Sequence, residues 1–532
     1  MIEAPMPNVM GDLPSEPTGP KPTPRRYGAV AGLVAGAVAV TTGMLVARVI
    51  DVVSPIDAVG SEFIDRVPPW LKELAIQWFG TNDKLALRVG IVTTLAIAAL
   101  IVGVLAVRWL AAGIVGIALF GVIGALAAVH RPDESFGAAV PPIIGTLIGI
   151  PLLVLLFRPT APRRAIMPGP SRAPLGWDRR RFLVTTGSAA AGAVMVGAVA
   201  EVLERRRVES IREAIPDSLP PARAPGAERV AVPASATVSP VTPFITPNDD
   251  FYRIDTALSF PRINLSNWKV ELNGLVERPL SLTYDELSAR DQIERVVTLC
   301  CVSNEVGGEY ISTAAFQGVL LADLLAEAGV KSGAEQVFST SLDGWTCGFP
   351  VAAALDGRDA MIALGMNGEP LPLEHGFPAR LVVPGLYGYV SATKWLRTVK
   401  LTTWDAAEGY WVPRGWAREA PVKTQSRIDV PRKGQQLSPG TVKIAGIAWA
   451  QHRGIAKVEV RIDEGPWQEA RLATDVTDDA WRQWIFDWEA TSGKHTIQVR
   501  ATDKTGETQT ADVTPPDPDG ATGYHTRGVS VD

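Results

Sequence analysis

The sequence predicts a multi-domain protein: an N-terminal bundle of five transmembrane helices, then an α+β domain, then a C-terminal β-sandwich. Three observations carry that expectation. The first ~205 residues hold long apolar runs, whereas the rest has ordinary globular composition. A proline-rich stretch divides the two halves. Past Pro421 the pattern shifts from mixed strands and helices to short strands of period two. With 532 residues, 49 Gly and 42 Pro, the chain is not expected to be one compact domain.

Apolar spans of roughly 18–25 residues can cross a bilayer. Five occur, at about 27–50, 85–107, 110–129, 138–157 and 182–203, within a membrane region 27–204. Residues 1–26 read as a disordered cytoplasmic tail. The short Arg108-Trp109 link makes the second and third spans a tight hairpin. Gly32/Gly36 and Gly145/Gly149 place small residues four apart, which lets helices approach closely. Lys21, Arg25 and Arg26 precede the first span. Arg158, Arg163, Arg164, Arg172, Arg179, Arg180 and Arg181 fill the loop before the fifth. The positive-inside rule puts both in the cytoplasm. Five spans then leave everything after about 204 on the extracytoplasmic side of the cell membrane. Arg205, Arg206 and Arg207 oppose this mildly, diluted by Glu201, Glu204 and Glu209. Asp178-Arg179-Arg180-Arg181-Phe182-Leu183 resembles a twin-arginine export motif, and a plain positive-inside cluster is the other reading. Residues 61–79 read either as a surface-lying amphipathic helix or as a helix packed under the outer domain.

The chain has five His, and only His130 lies near a span. No facing His pair and no Cys-x-x-Cys-His is present, so no haem is expected. The membrane half reads as an anchor or docking platform. A net charge of −5 gives no reason to expect nucleic acid as a partner.

Residues 205–245, with Pro216, Pro220, Pro221, Pro225, Pro233, Pro240 and Pro243, read as an extended spacer. Residues 246–420 read as the α+β domain. Trp268 to Gly274 forms a strand, Tyr284 opens a short helix, and Leu320 to Gly329 is a helix with a Gly stop. Residues 421–532 contain period-two strands at Val442–Trp449, Ala456–Ile462, Trp481–Trp488 and His495–Ala501. Their spacing suggests an immunoglobulin-like sandwich.

The chemistry concentrates in two segments. Val297-Thr298-Leu299-Cys300-Cys301-Val302-Ser303-Asn304-Glu305 ends a β-type run on a thiol. A thiolate is a soft, strongly donating metal ligand, although a buried cysteine is more often inert packing. Cys300, its neighbour in a strand, must point the opposite way. The second segment, His375-Gly376-Phe377-Pro378-Ala379-Arg380, is followed by Lys394-Trp395. Arginine offers a planar fork matched to phosphate oxygens, and lysine adds a point charge. Gly376 and Pro378 favour a tight turn around a cofactor. Three cysteines cannot make a multi-disulfide framework, and Cys347 reads as structural.

This pairing resembles the sulfite-oxidase-like molybdopterin-dependent oxidoreductases, in a membrane-anchored, actinobacterial-type branch. The resemblance covers about 246–532. It implies a sulfite-oxidase-type molybdopterin domain at 246–420 and a dimerisation-type immunoglobulin-like domain at 421–532, and hence a homodimer. The family pattern Thr-Leu-x-Cys-x-x-Asn selects Cys301 as molybdenum ligand and catalytic centre. His375, Arg380 and Lys394 become pterin and phosphate donors, with Ala392 and Thr393 contacting the cofactor beside them. In Asp249-Asp250-Phe251-Tyr252-Arg253, Tyr252 and Arg253 become cofactor contacts, with Arg253 also in the catalytic set. Ser341 to Trp345 falls near another pterin loop. The implied activity is two-electron, oxygen-atom-transfer chemistry on a small or sulfur-containing substrate. Without a cytochrome b5 segment, electrons pass to or from a separate redox protein or a quinone. The chain departs from the family at Glu305, where sulfite oxidases carry Arg, and at Ile254, which takes the place of their substrate arginine. Ser303 stands where the methionine-sulfoxide-reductase relatives carry Glu. Tyr387 and Tyr389 read either as substrate-side or as core aromatics. Two other readings compete: a membrane-tethered binding or adhesion protein with a cofactor-free fold, and a cysteine-nucleophile hydrolase using His375 as base.

Overall fold

The structure, a computed structural model, describes residues 24–68, 71, 74, 78, 83–131, 134–157, 179–223, 232, 239 and 241–532. Lys21, Asp178, Arg158, Arg163, Arg164 and Arg172 lie outside the described residues, as do most of the tail 1–26, most of 69–82 and much of 224–240. The chain divides into two compact units, 1–65 with 82–204, and 66–81 with 205–532.

Five helices are long and apolar enough to cross a membrane: Arg25–Val49, Lys84–Arg108, Leu110–Val129, Phe136–Phe157 and Arg179–Glu213. In the first unit the small residues do what their spacing predicts. A Cβ on Gly32 would sit 2.2 Å from the Ala99 carbonyl oxygen, and one on Gly145 2.2 Å from that of Ala39. Only glycine lets these backbones meet so closely. Charged side chains gather at helix ends. Arg48 pairs with Glu204 at 2.9 Å and Asp57 at 3.5 Å, and Arg88 reaches Asp57 at 3.2 Å.

The fifth helix differs from expectation. It runs to Glu213, into the stretch read as spacer. Residues 205–213 hold no Gly or Pro, and Val208 and Ile211 give them an apolar face that packs on the α+β core. The described part of the remaining spacer is not free either. Leu219 and Ala222 pack on that core, Phe244 is buried, and the Gln317 side chain donates to the Pro220 carbonyl at 2.6 Å. Apolar residues between the prolines gain more by burial than an extended chain would keep.

The α+β domain contains β1 (Lys269–Gly274), β2 (Leu280–Thr283), β3 (Ile293–Cys300), β4 (Ile311–Leu320), β5 (Gln336–Ser341), β6 (Thr346–Pro350), β7 (Met361–Met366), β8 (Glu369–Pro370), β9 (Arg380–Val382) and β10 (Leu396–Thr402). They form two sheets, β2-β1-β10-β5-β6 and β3-β4-β7-β8, with β9 on β7. Tyr284–Ser288 begins with a capping box of Thr283 and Glu286. Leu321–Ala328 ends at Gly329 with φ +69°. Strand β3 is buried almost throughout and pairs antiparallel with β4, Cys300 opposite Ile311.

The C-terminal strands are β11 (Gln425–Val430), β12 (Gln436–Leu437), β13 (Gly440–Trp449), β14 (Ile455–Ile462), β15 (Gln468–Glu469), β16 (Arg471–Leu472), β17 (Arg482–Ala490), β18 (Gly493–Asp503) and β19 (His525–Val531). They make two sheets, β11-β13-β17-β16 and β12-β19-β18-β14-β15. Ile444, Val458, Val460, Trp484, Ile497 and Val499 fill the space between them. The sandwich also grips β3. Trp449 and Trp481 belong to the α+β core. Thr298 donates its N–H to the Asp479 carbonyl at 2.9 Å. Its hydroxyl accepts from Trp481 N at 2.7 Å, and its carbonyl accepts from Gln451 Nε2 at 3.1 Å. Thr298 is buried, so its backbone groups need these partners.

Candidate cofactor site

Cys301 leaves β3 into a closed loop. Its N–H donates to the Tyr310 carbonyl at 3.0 Å, and its carbonyl accepts from Asn304 N at 3.0 Å. The buried Asn304 side chain accepts from Tyr310 N at 2.8 Å, tying the loop shut. Burial pushes the Cys301 thiol up, and hydrogen bonds from the Ser303 N–H and hydroxyl oppose this. Such a thiol keeps its proton near neutrality until a metal ion replaces it. Cys300 closes β3, and its Sγ donates to the Cys301 carbonyl at 3.5 Å. Among the described residues, no group of three or more His, Cys, Asp or Glu is placed to hold a metal ion. Cys301 would therefore be a lone protein ligand, with the cofactor supplying the rest.

The donor run closes on itself. His375 is buried, and its Nε2 donates to the Asn248 carbonyl at 2.8 Å. A carbonyl only accepts, so the hydrogen sits on Nε2 and Nδ1 is left as an acceptor. Burial, aided by the charges of Arg380 and Lys394, lowers the His375 pKa to about 4. Gly376 adopts φ +113°, and a Cβ there would lie 3.1 Å from Arg380 Cβ and from Lys394 Cα and Cβ. Gly376→Ala is expected to lower stability by about 1–3 kcal/mol through backbone strain and crowding. Chemical unfolding of the cofactor-free protein would read this.

Arg380 is the telling residue. It is 5% exposed, and its Nη1 donates to the His375 carbonyl at 3.2 Å. Its guanidinium lies 5.6 Å from the Phe316 ring centroid. Among the described residues no carboxylate pairs with it. Burial lowers its pKa to about 10, which leaves it cationic at neutral pH. A buried cation without a counter-charge is costly, so this site suits a bound anion. Lys394 adds a second cation, its Nζ 2.6 Å from Asp255 Oδ2 and 3.3 Å from the Glu374 carbonyl.

Tyr252 links the two segments. Its N–H donates to Ser312 Oγ at 3.1 Å. Burial raises its phenol well above the ordinary range, the nearby Cys301 and Cys300 thiols add to this, and Arg380 opposes it. Tyr252 thus feels both the thiol side and the cation side of one site. Arg253 lies on the Lys394 side. Its side chain is 38% exposed, pairs with Asp255 at 3.1 Å, and lies 4.9 Å from the Phe260 ring centroid. Asp255 therefore groups Arg253 with Lys394, and neither contact brings it to Cys301. Thr393 is buried beside Lys394. Its hydroxyl hydrogen-bonds with Ser339 Oγ at 2.7 Å and Cys347 Sγ at 3.1 Å. Ala392 contributes backbone only, its N–H donating to the Gly388 carbonyl. Cys347 is buried and its thiol is pushed up to about 11, as a structural cysteine would be. The Ser341–Trp345 turn braces Trp395, whose carbonyl accepts from Leu342 N at 2.8 Å. Tyr387 and Tyr389 are core aromatics, and the Tyr389 hydroxyl donates to the Ala417 carbonyl at 2.7 Å. Asp255 was not legible from sequence: Lys394 is 139 positions away.

The site's acid sensitivity follows from buried histidines. Burial lowers both His375 and His525 from the ordinary 6.5 to about 4. Between these values the unfolded chain binds more protons than the folded one. Stability therefore rises with pH across this window and is lost as pH falls from 6.5 towards 4. Each histidine contributes a slope of at most about 1.4 kcal/mol per pH unit. Denaturant midpoints at pH 7 and 5 should show this loss, and His375→Asn should lessen it.

Comparison with known proteins agrees with this geometry. Residues 257–411 match the family model of the oxidoreductase molybdopterin binding domain, and 425–499 that of a bacterial Ig domain. The chain is 32% identical to a sulfite oxidase of Gallus gallus over 298 residues, 47% of this chain and 63% of that protein. It is 34% identical to the uncharacterized oxidoreductase YuiH of Bacillus subtilis (strain 168) over 153 residues, 29% of this chain and 74% of that protein. Among solved structures, the sulfane dehydrogenase SoxCD from Paracoccus pantotrophus overlays with a TM-score of 0.48 at 24% identity, covering 60% of this chain and 90% of that one. The chain spans 52–63% of the length of the sulfite oxidases it matches. A thiol-terminated strand, a buried unpaired arginine and these matched relatives converge, and the chain belongs to the sulfite-oxidase-like family of molybdopterin-dependent oxidoreductases.

Proposed function

We propose that this protein is a membrane-anchored, outward-facing molybdopterin-dependent oxidoreductase. The observation that carries the reading is Arg380, a buried cation with no carboxylate partner, set across Tyr252 from Cys301. The donor set fits an anionic, phosphate-bearing group. Arg380 and Lys394 would hold its charge, His375 Nδ1 would accept a hydrogen bond from it, and Cys301 would bind its metal. When bound, the cofactor supplies two-electron, oxygen-atom-transfer chemistry, and the protein supplies position and electrostatics. With its pKa lowered to about 4, His375 stays neutral near pH 7 and accepts at Nδ1 without adding a third cation to the site.

The five apolar helices support membrane anchoring, and the arginines around the first and fifth helices support an extracytoplasmic second unit. We take the substrate to be small or sulfur-containing, the electron partner to be a separate redox protein or quinone, and the sandwich to mediate a homodimer. Ile254, Ser303 and Glu305 leave the substrate unassigned. The test is molybdenum and released pterin per chain, measured on protein purified from membranes of a molybdopterin-competent host. Near-stoichiometric amounts support the reading. A folded protein holding neither overturns it and leaves a tethered binding protein.

A further inference from the structure

We infer that Arg427 and His525, both from the sandwich, are positioning residues that fix the loop carrying Cys301. The inference rests on the reading of Cys301 as the metal ligand. The loop from Cys301 to Gly308 is tied at its inner end by Asn304 and Tyr310. At its outer end the Gly308 N–H turns back to the Glu305 carbonyl at 2.8 Å, and the sandwich takes the Gly308 carbonyl.

Arg427, on β11, is only 10% exposed at its side chain. Its planar fork spans three segments. Nη1 donates to the Gly308 carbonyl at 2.8 Å, Nε to Asp429 Oδ1 at 2.7 Å, and Nη2 to Thr242 Oγ1 at 2.9 Å. Thr242 in turn donates its N–H at 3.1 Å and its hydroxyl at 2.7 Å to Asp429 Oδ2. Every member has a partner, so the guanidinium has one orientation. A charged donor on a half-buried carbonyl is among the stronger hydrogen bonds available.

His525, on β19, presses on the adjacent position. Its Nδ1 accepts from Ile428 N at 2.9 Å, which fixes the ring's orientation. A Cβ on Gly307, whose φ is +79°, would lie 2.4 Å from that ring. The ring therefore packs flat on the loop backbone where no side chain stands between them. With one end pinned by Asn304 and the other clamped at Gly307 and Gly308, the loop cannot swing, and the direction of the Cys301 thiol is set. Outer-shell partners of metal ligands commonly alter activity or metal affinity 10–100-fold.

The experiment uses the full-length protein purified from membranes. Arg427→Ala, His525→Ala and Gly307→Ala are compared with wild type and with Lys443→Ala, which breaks an exposed ion pair to Asp487 elsewhere on the sandwich. Three quantities are read: molybdenum and pterin per chain, the sulfur-to-metal visible absorption, and the rate of iodoacetamide modification of Cys301 in cofactor-free protein by mass spectrometry. The expected result is a shifted absorption band and at least about 10-fold faster alkylation of Cys301 in the three loop variants. Melting temperatures are expected to fall in the loop variants, through strain at Gly307 and the lost partners of Asp429, so the band and the alkylation are read well below the melting temperature, and Lys443→Ala should change nothing. Arg427→Lys should rescue partly, since lysine can reach one acceptor but not three. An unchanged band and unchanged alkylation in folded Arg427→Ala and Gly307→Ala would overturn the inference. Should Arg427→Ala fail to fold, Arg427→Gln and His525→Asn are read by the same two measures. A wild type without molybdenum sinks the cofactor reading alone, because the alkylation comparison still decides the loop.

Discussion

Cys301→Ser, purified beside the wild type, is expected to lose its bound molybdenum or show an altered metal spectrum, with turnover reduced more than about 100-fold. That loss exceeds the 10–100-fold typical of an outer-shell partner, because the change removes the ligand atom itself. A serine oxygen is a harder and far less acidic donor than a thiolate, so it cannot take the thiolate's place. The fold should survive. The structural bonds of Cys301 run through its backbone, to Tyr310, Asn304 and Cys300, and serine keeps all of them. Cys300→Ala is the matched control. Its thiol donates to the Cys301 carbonyl, so its loss should cost packing and leave the metal bound. Metal retained in Cys301→Ser and lost in Cys300→Ala would reassign the ligand.

Arg380→Met carries the second large effect, and it has two opposite signs. Pterin and molybdenum content should fall at least about 10-fold, because the buried anion partner is gone. The cofactor-free protein, by contrast, should be at least as stable as wild type. Removing an uncompensated buried cation in favour of an apolar side chain of similar length is commonly neutral or stabilising by about 1–4 kcal/mol. The lost bond to the His375 carbonyl offsets part of this gain. A residue serving only the fold would lower both quantities together. Measuring cofactor content and the denaturant midpoint on the same preparation therefore separates a binding role from a structural one.

The molybdopterin domain and the Ig-like domain were legible in the sequence, and the two candidate segments could be singled out there, because both rest on local pattern. Apolar runs, the proline-rich stretch, the strand ending on Cys301 and the short path from His375 to Arg380 all lie within a few residues. What was not legible depends on chain segments far apart. Nothing near Thr393 shows that its hydroxyl would meet Ser339 and Cys347. Nothing near Arg253 shows that Asp255 would tie it to Lys394. The helix continuing to Glu213 was hidden differently. Prolines further on suggested a spacer, but the residues before Pro216 are good helix formers with an apolar face.

The bonds that Thr298 makes to Asp479, Trp481 and Gln451 bear on how such a chain can be taken apart. A cut between residues 420 and 421 falls where composition changes and looks like a natural joint. It would strip the partners from a buried threonine and open a shared core holding Trp449 and Trp481. The two C-terminal modules thus make one exchangeable part. Grafting this catalytic half onto another scaffold, or donating its sandwich to a relative, requires moving both modules as a block together with the segment from 205 that packs on them.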